Sequence, residues 1–227
     1  MSKLRVVLGA PGALWLLLVT HLPGPLGRGM RVRYWRRRLR HLGSGVRIDT
    51  DVYFQGPEWI SIGDRVWIDK GVMLLAGPDR SARGRRVLGS GSSDVERGAL
   101  HVGDRVHLGP YCVISAIGGV RIGDGCTLSS GVRLYSFSHH FRSDEAPSDR
   151  RFHFGSMSDP TWQYMIEGPV VLGSNVGVAL DAVLLPGVTI GECSFVTIGS
   201  VVNRDFGVNS LIAGNPASRV GPRFREE

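Results

Sequence analysis

The stretch LGSNVGVALDAVLLPGVTIGECSFVTIGSVV, residues 172–202, repeats with a period of six. A period of six fits neither the 3.6-residue turn of a helix nor the two-residue alternation of a strand. It is typical of a solenoid in which each hexad forms one short strand and one turn, and one aliphatic residue per hexad fills the axis of the coil. The aliphatic position is occupied by Leu172, Val178, Leu184, Ile190, Val196 and Val202, and four residues after the first five of these lie the slimmer Val176, Ala182, Val188, Ser194 and Ser200.

The same aliphatic position recurs upstream of this stretch. Grouped in threes, the arrangement implied by the resemblance described below, the whole set makes about five full coils after one partial coil. Two steps are eight residues long, Phe54 to Ile62 and Ile114 to Ile122, and two carry long insertions, 76–99 and 136–170. In this grouping every irregular step leaves from the same corner. Because neighbouring strands lie about 4.8 Å apart, the two insertions begin roughly 10 Å apart and are predicted to shape one pocket. The upstream positions are Ile48, Phe54, Ile62, Ile68, Leu74, Val102, Leu108, Ile114, Ile122, Leu128 and Leu134.

These hexads, together with IAGNPA at residues 212–217, resemble the hexapeptide-repeat acyltransferases, in particular sugar O-acetyltransferases of the galactoside and maltose type. The resemblance covers about residues 44–225. It implies an all-β solenoid, a left-handed parallel β-helix of about five to six coils, with a short N-terminal helical segment and two inserted loops. We expect a basic and apolar segment at 1–43, the acyltransferase domain at 44–206 and a C-terminal tail at 207–227.

Positive charge is concentrated at the N-terminus. The chain has a net charge of +7, yet residues 1–48 contain ten Lys or Arg and no acid, and the remainder has 17 basic and 20 acidic residues. This distribution indicates a local partner of the N-terminal segment rather than a nucleic-acid-binding surface. The apolar run of residues 6–20 is interrupted by Gly9, Pro11 and Gly12 and is shorter than a membrane-spanning helix requires.

Three interpretations of the N-terminal segment remain open: contact with an anionic membrane surface, helices packed against the solenoid, and a transmembrane or signal segment. We expect a cytoplasmic protein that is peripheral at the inner face of the membrane.

The odd number of cysteines, Cys112, Cys126 and Cys193, indicates reduced packing residues. Their spacing predicts no metal site.

Acyl transfer to an alcohol requires a base for the hydroxyl proton, and histidine suits this role because its pKa lies near working pH. The resemblance assigns the general base to His139, 17 residues after Ile122 in the segment YSFSHH. The alternative is that His139 only packs in the loop. His140 is the second candidate for the base or a substrate contact, and Asp144 and Tyr135 are candidate substrate contacts.

The resemblance also implies a coenzyme A thioester, acetyl-CoA, as donor, bound in a groove between two subunits of a homotrimer. It assigns the groove to six residues of two turns, and Arg219 and Arg223 to the nucleotide phosphates with Arg204. The alternatives are ordinary turn chemistry and solvated arginines. The six groove residues are Ala179, Leu180, Ile198, Gly199, Asn203 and Arg204.

Three positions depart from the family pattern. Gly177 replaces a common Trp, Ile198 a common Ala, and Gly109 the Asn that galactoside-type members use near the acceptor. We therefore expect an acceptor that is not a galactoside, or that is held differently at Gly109. The resemblance predicts an O-acetyltransferase acting on a sugar, polysaccharide or lipid-linked glycan precursor. The alternatives are an amino-sugar or antibiotic N-acetyltransferase, a zinc-dependent trimer and a non-catalytic scaffold.

Overall fold

Strands of two to six residues dominate the computed structural model, which describes residues 12, 14–88 and 95–225. One α-helix, α1, spans Gly24–Trp35, residues 14–21 are also helical, and short 3₁₀ helices span Pro57–Trp59 and Pro160–Trp162. In chain order the strands are β1 (His41–Leu42), β2 (Arg47–Ile48), β3 (Tyr53–Gln55), β4 (Ile60–Ile62), β5 (Trp67–Ile68), β6 (Met73–Leu75), β7 (Gly84–Val87), β8 (Leu100–Val102), β9 (His107–Leu108), β10 (Val113–Ser115), β11 (Val120–Ile122), β12 (Thr127–Leu128), β13 (Arg133–Tyr135), β14 (Phe137–His139), β15 (Tyr164–Glu167), β16 (Val170–Leu172), β17 (Gly177–Val178), β18 (Val183–Leu184), β19 (Thr189–Ile190), β20 (Phe195–Val196), β21 (Val201–Val202), β22 (Ser210–Gly214) and β23 (Ala217–Pro222).

The chain visits three sheets in rotation. Sheet A has the order β1-β4-β8-β11-β16-β19, sheet B the order β2-β5-β9-β12-β17-β20-β22-β23, and sheet C the order β3-β6-β10-β13-β18-β21. Neighbouring strands are parallel, except for the antiparallel pair β22 and β23. The predicted architecture of mostly parallel strands with few helices is confirmed. Within the segment 207–227, expected from the sequence to be a C-terminal tail, β22 and β23 extend sheet B.

The aliphatic residues at the fixed position of each hexad, which we call the hexad heads, form the core, as the period of six predicts. In the terminal repeat Leu172, Val178, Leu184, Ile190 and Val196 are at most 1% exposed, and the upstream heads are also buried. Parallel pairing places each head on the head of the next coil, as in Leu128 on Val178. The buried side chains therefore stack along one axis and exclude water from it.

The irregular steps all leave sheet C. The strands that precede them are β3, β6, β10 and β13, which are members of that sheet. The two long insertions then meet, because β7 from the first pairs in parallel with β15 from the second, and β15 pairs antiparallel with β14. We call this three-stranded unit the insertion sheet. It joins the two insertions at one corner of the solenoid, as the spacing of the coils predicts.

Helix α1 packs against the first coil, in agreement with the packed-helix interpretation of residues 24–35. The ring centroid of Trp35 lies 4.3 Å from that of Phe54. Arg31 is buried and donates Nε to the carbonyl of Ile48 and Nη1 to those of Val19 and Leu22, which ties both helical stretches to the coil. Burial lowers the pKa of Arg31. Within the described part of the chain, no helix combines the length and apolarity needed to cross a bilayer.

Candidate active site

His139 lies at the end of β14, where the second insertion leaves sheet C. Its imidazole is half-buried, and its ring centroid lies 5.4 Å from that of Phe154. The Nε2 atom is 3.3 Å from Oε1 of Gln163. No hydrogen bond joins Nδ1 to any of the residues that the structure describes. The protein thus holds one ring nitrogen of His139, while the other has no hydrogen-bond partner among the described residues.

Gln163 is a buried amide between His139 and the first insertion. Its side chain is almost fully enclosed, at 2% exposure. The Nε2 group donates to the carbonyl of Ser158 at 2.6 Å, and Oε1 lies 3.3 Å from Nη1 of Arg83. The amide therefore connects the imidazole to a residue 80 positions away in sequence.

His140, the second candidate for the base, is held differently. Its backbone N–H donates to the carbonyl of Tyr164 at 2.8 Å, and its ring stacks on Phe141 with centroids 4.4 Å apart. Nδ1 lies 2.7 Å from the carbonyl of Arg142 and must donate to it, because a carbonyl oxygen only accepts. Nε2 is therefore the nitrogen of His140 that can accept a proton when the ring is neutral.

Charged groups from both insertions form a cluster that contacts the Gln163 amide through Arg83, and we call it the arginine–carboxylate cluster. Glu167 is paired with Arg85 at 2.9 Å and with Arg97, while Asp79 is paired with Arg83 at 3.1 Å and Arg85 at 3.4 Å. Burial opposes ionisation of Asp79, but hydrogen bonds from Ser81 and the charge of Arg83 outweigh it and lower its pKa. The hydrogen bond to Glu167 raises the pKa of Arg97. The cluster therefore joins the first insertion to the second.

The predicted substrate contacts Asp144, Tyr135 and Gly109 lie in three different surroundings. Asp144 forms an ion pair with Arg86 at 2.9 Å and so helps to join the two insertions. Tyr135 ends β13, immediately before the segment that carries His139. Gly109 is buried at the turn between sheets B and C, where a Cβ atom would lie 2.8 Å from the carbonyl oxygen of Leu128. The glycine at 109 is therefore explained by the close approach of two coils.

The six predicted groove residues lie at two corners of the solenoid. Four occupy turns between sheets B and C, where Leu180 and Ile198 are 44% and 69% exposed and Ala179 is buried. Asn203 and Arg204 follow β21 at the corner beyond sheet C, which is also the corner that carries the insertions. These two residues line a cleft of about 400 Å³ with Pro216, Ala217 and Ser218. Gly199 is the fourth of the residues that occupy the turns between sheets B and C.

The two predicted phosphate ligands near the C-terminus are bound to the protein itself. Arg219 donates Nε to the hydroxyl of Ser210 at 3.2 Å. Arg223 donates Nη1 to the carbonyls of Asn175 and Ser194, at 2.5 and 3.3 Å. Asn175 and Ser194 lie in turns between sheets A and B, so Arg223 is placed at the third corner, away from Arg204. Of the three arginines, Arg204 is the one beside the cleft.

Sequence reasoning did not identify Gln163 or Arg83 as parts of this site. Neither belongs to the hexad pattern, and their contacts join residues of separate insertions. No group of three His, Cys, Asp or Glu side chains within the described ranges is placed to hold a metal ion.

Comparison with known proteins supports the acyltransferase prediction. No protein-family model matches the chain. The chain is 25% identical over 191 residues to dTDP-4-amino-4,6-dideoxy-D-glucose acyltransferase of Escherichia coli, an alignment that covers 82% of this chain and 84% of that protein. Other curated acetyltransferases are matched over about half of their own length.

Two solved structures share the fold. One is a variant of AntD, an N-acyltransferase from Bacillus cereus in complex with dTDP-4-amino-4,6-dideoxyglucose and coenzyme A; its TM-score is 0.68 at 18% identity, covering 86% of this chain and 90% of that one. The other is the hexapeptide-repeat acetyltransferase VCA0836 of Vibrio cholerae with acetyl coenzyme A, with a TM-score of 0.53 at 22% identity, covering 97% and 90%. The predicted resemblance to hexapeptide-repeat acyltransferases is confirmed.

Proposed function

We propose that this protein transfers an acyl group from a coenzyme A thioester, acetyl-CoA in the first instance, to a hydroxyl group of a sugar or glycan precursor, with His139 as the general base. The observation that carries the proposal is the imidazole of His139, held by Gln163 on one nitrogen and without a hydrogen bond from the described residues on the other. It lies at the corner where both insertions meet. The acyltransferases among the relatives support the same reaction class.

The reaction requires a proton to move twice. The acceptor oxygen attacks the thioester carbonyl while His139 takes the hydroxyl proton, so that a C–O bond forms. When the C–S bond breaks, the departing thiolate takes that proton back from the imidazolium. The products are the acyl ester and free coenzyme A, and the imidazole is neutral again. A hydroxyl needs this base because its own pKa lies far above neutral pH.

The donor is proposed to bind between two subunits of a homotrimer of left-handed β-helices. The proposal is supported by the division of these residues between two corners of the coil. Leu180 and Ile198 lie at the corner between sheets B and C, while His139 and Arg204 lie at the corner that follows sheet C. A second copy that placed its B-to-C corner beside the cleft of Arg204 would complete one groove. Closed rings of identical subunits are a common solution for such contacts. Light scattering on the eluting protein should give three times 24.7 kDa, and a monomer would contradict the groove.

A carbohydrate acceptor is supported by the relatives that act on, or are bound to, nucleotide-linked amino sugars. These relatives also support a second candidate function, N-acylation of an amino sugar, because the E. coli protein aligns over most of the chain. The two functions differ in what they demand of His139. An amine is partly neutral near pH 8 and already nucleophilic, whereas a hydroxyl depends on the base.

The test is transfer of label from acetyl-CoA to a panel of sugars, nucleotide-linked amino sugars and lipid-linked glycans. For a hydroxyl acceptor we expect His139→Ala to lower kcat by about 10²–10⁴-fold. His153→Ala, an exposed histidine in the same insertion, is the matched control and should leave kcat unchanged. Wild-type rates in His139→Ala would refute the assignment of the base, and label on an amine would favour the second function.

We further propose that residues 1–43 contact an anionic membrane surface, while residues 44–206 form the catalytic unit. Support comes from exposed apolar side chains in a segment that is also rich in arginine: Trp15 is 51% exposed and Leu26 71%, and Arg33 is exposed as well. Apolar side chains at the acyl boundary and arginines at anionic headgroups bind such surfaces additively. The protein should sediment with vesicles of mixed anionic and zwitterionic lipid, and less with purely zwitterionic ones. Failure of the protein to sediment with either kind of vesicle would refute the contact. The other exposed apolar residues are Leu14, Leu16, Leu17 and Leu18.

A further inference from the structure

The orientation of the Gln163 amide is determined by its partners. The carbonyl of Ser158 can only accept a hydrogen bond, so the amide group 2.6 Å from it is the NH₂ group. The guanidinium of Arg83 can only donate, so the amide atom 3.3 Å from it is the oxygen. Reversing the amide would place two acceptors and two donors against each other inside a buried site. The atom that faces His139 is therefore the carbonyl oxygen Oε1.

We propose that Gln163 is a positioning residue that fixes neutral His139 as the Nε2–H tautomer and thereby makes Nδ1 the atom that accepts the proton of the acceptor hydroxyl. Because Oε1 only accepts, Nε2 of His139 must carry the hydrogen. The lone pair of the neutral ring is then on Nδ1. This inference rests on the proposed role of His139 as general base.

The first insertion takes part in this arrangement through Arg83. This guanidinium donates to Gln163, to the hydroxyl of Ser81 at 2.7 Å and to Asp79, and it lies over the ring of Phe137. Oε1 of Gln163 has two lone pairs, which Arg83 and His139 occupy together. The positive charge of Arg83 also polarises the amide and keeps its oxygen directed at the imidazole. The first insertion thus supports the base through Arg83.

The arrangement predicts a specific pattern in variants. Gln163→Glu retains an acceptor toward Nε2, so the tautomer should persist, while its charge favours the imidazolium. It also loses the hydrogen bond to the carbonyl of Ser158 and sets a carboxylate oxygen against it, so this variant should be less stable than the wild type. Gln163→Leu removes the acceptor, so both tautomers become accessible and kcat should fall on the order of tenfold or more. The KM for acetyl-CoA should stay within about twofold in both variants, because a positioning residue acts on the base and not on the donor.

The experiment combines ¹⁵N NMR of the histidine rings with rate measurements on the purified full chain. A neutral ring nitrogen that carries hydrogen is well separated in ¹⁵N shift from one that does not, and the His139 signals are assigned by their loss in His139→Asn. We expect wild-type His139 to be the Nε2–H tautomer at pH 8, Gln163→Glu to keep it with the acid limb of kcat raised by about one pH unit, and Gln163→Leu to lose it. Gln55→Leu, a substitution of an exposed glutamine in β3, is the control.

The outcomes separate this inference from the proposed function. Wild-type His139 protonated on Nδ1 would overturn the inference whatever the activity, and so would Gln163→Leu with an unchanged tautomer and kcat. The NMR measurement on the wild-type protein needs only the His139→Asn variant for assignment and is independent of whether the Gln163 variants fold. Full activity in His139→Ala, with the Nε2–H tautomer present in the wild type, would instead refute the general-base role and leave the tautomer assignment standing.

Discussion

Replacement of Glu167 by Gln should loosen the insertion sheet while leaving the solenoid intact. Glu167 has only 5% of its side chain exposed and accepts hydrogen bonds from Arg85 at 2.9 Å and from both Nε and Nη2 of Arg97. Gln keeps the shape of the side chain and one oxygen acceptor. It removes the negative charge, and its NH₂ group opposes a guanidinium that can only donate. Arg97 then loses the carboxylate that it pairs with, and Arg85 keeps only the carboxylate of Asp79, at 3.4 Å.

The magnitude follows from burial. Removing one partner of a fully buried ion pair costs about 3–5 kcal/mol, whereas a surface pair contributes about 0–1 kcal/mol. The side chains of Arg85 and Arg97 are 21% and 44% exposed, so solvent screens part of the interaction. An intermediate cost of about 2 kcal/mol is expected for local opening. Since 1.4 kcal/mol corresponds to a factor of ten, opening should become roughly 30-fold more frequent.

Amide hydrogen exchange measures this opening directly, because exchange in native conditions reports local unfolding. The amides of β7 and β15 should exchange about 30-fold faster in Glu167→Gln, and those of β16 and β19 at the wild-type rate. Glu192→Gln is the matched control, since Glu192 is exposed and belongs to no ion pair in the part of the chain that the structure describes. Acceleration below about threefold in β7, or equal acceleration in β19, would refute the role of Glu167 as the connection between the insertions.

Two further predictions concern the core and the cysteines. Leu134→Ala, at a fully buried hexad head, should lower the free energy of unfolding by about 2–5 kcal/mol in denaturant titration, whereas Leu180→Ala, at a 44% exposed turn, should change it by less than about 0.5 kcal/mol; equal effects would contradict the stacked core. Burial raises the pKa of the Cys112 thiol to about 12 and that of Cys126 to about 11. The thiolate is the reactive form, so iodoacetamide at pH 8 should modify the partly exposed Cys193 in the native protein and all three cysteines after denaturation. Fast native alkylation of Cys112 would show that its site opens readily.

The regular part of the fold was predictable because its information is local. Each hexad specifies its own strand and turn, and the aliphatic residue at a fixed phase must face the axis, so heads such as Leu134 and Leu172 are identified without any long-range contact. The shared corner of the irregular steps follows from counting strands in threes. The resemblance then led to His139, which the structure places at that corner.

The insertions lie outside this logic. The sequence of residues 84–87 does not indicate that β7 pairs with β15, 80 positions further on. The prediction of Asp144 as a substrate contact likewise did not include its ion pair with Arg86. Such pairs have no repeat to set their register. They form because two chains that leave the same corner must satisfy their buried polar groups against each other.

The amino-acid sequence by itself determined a coil of six-residue units, because each hexad carries the information for its own strand and turn. Its resemblance to the hexapeptide-repeat acyltransferases indicated the class of reaction and the candidate base His139. Only the tertiary structure decided how that histidine is held. It brought Gln163 and Arg83 to the imidazole and separated Arg223 from the cleft of Arg204. The reason is that the direction of a hydrogen bond and the corner that a turn occupies are set by how distant segments pack together, and that packing follows no period in the chain.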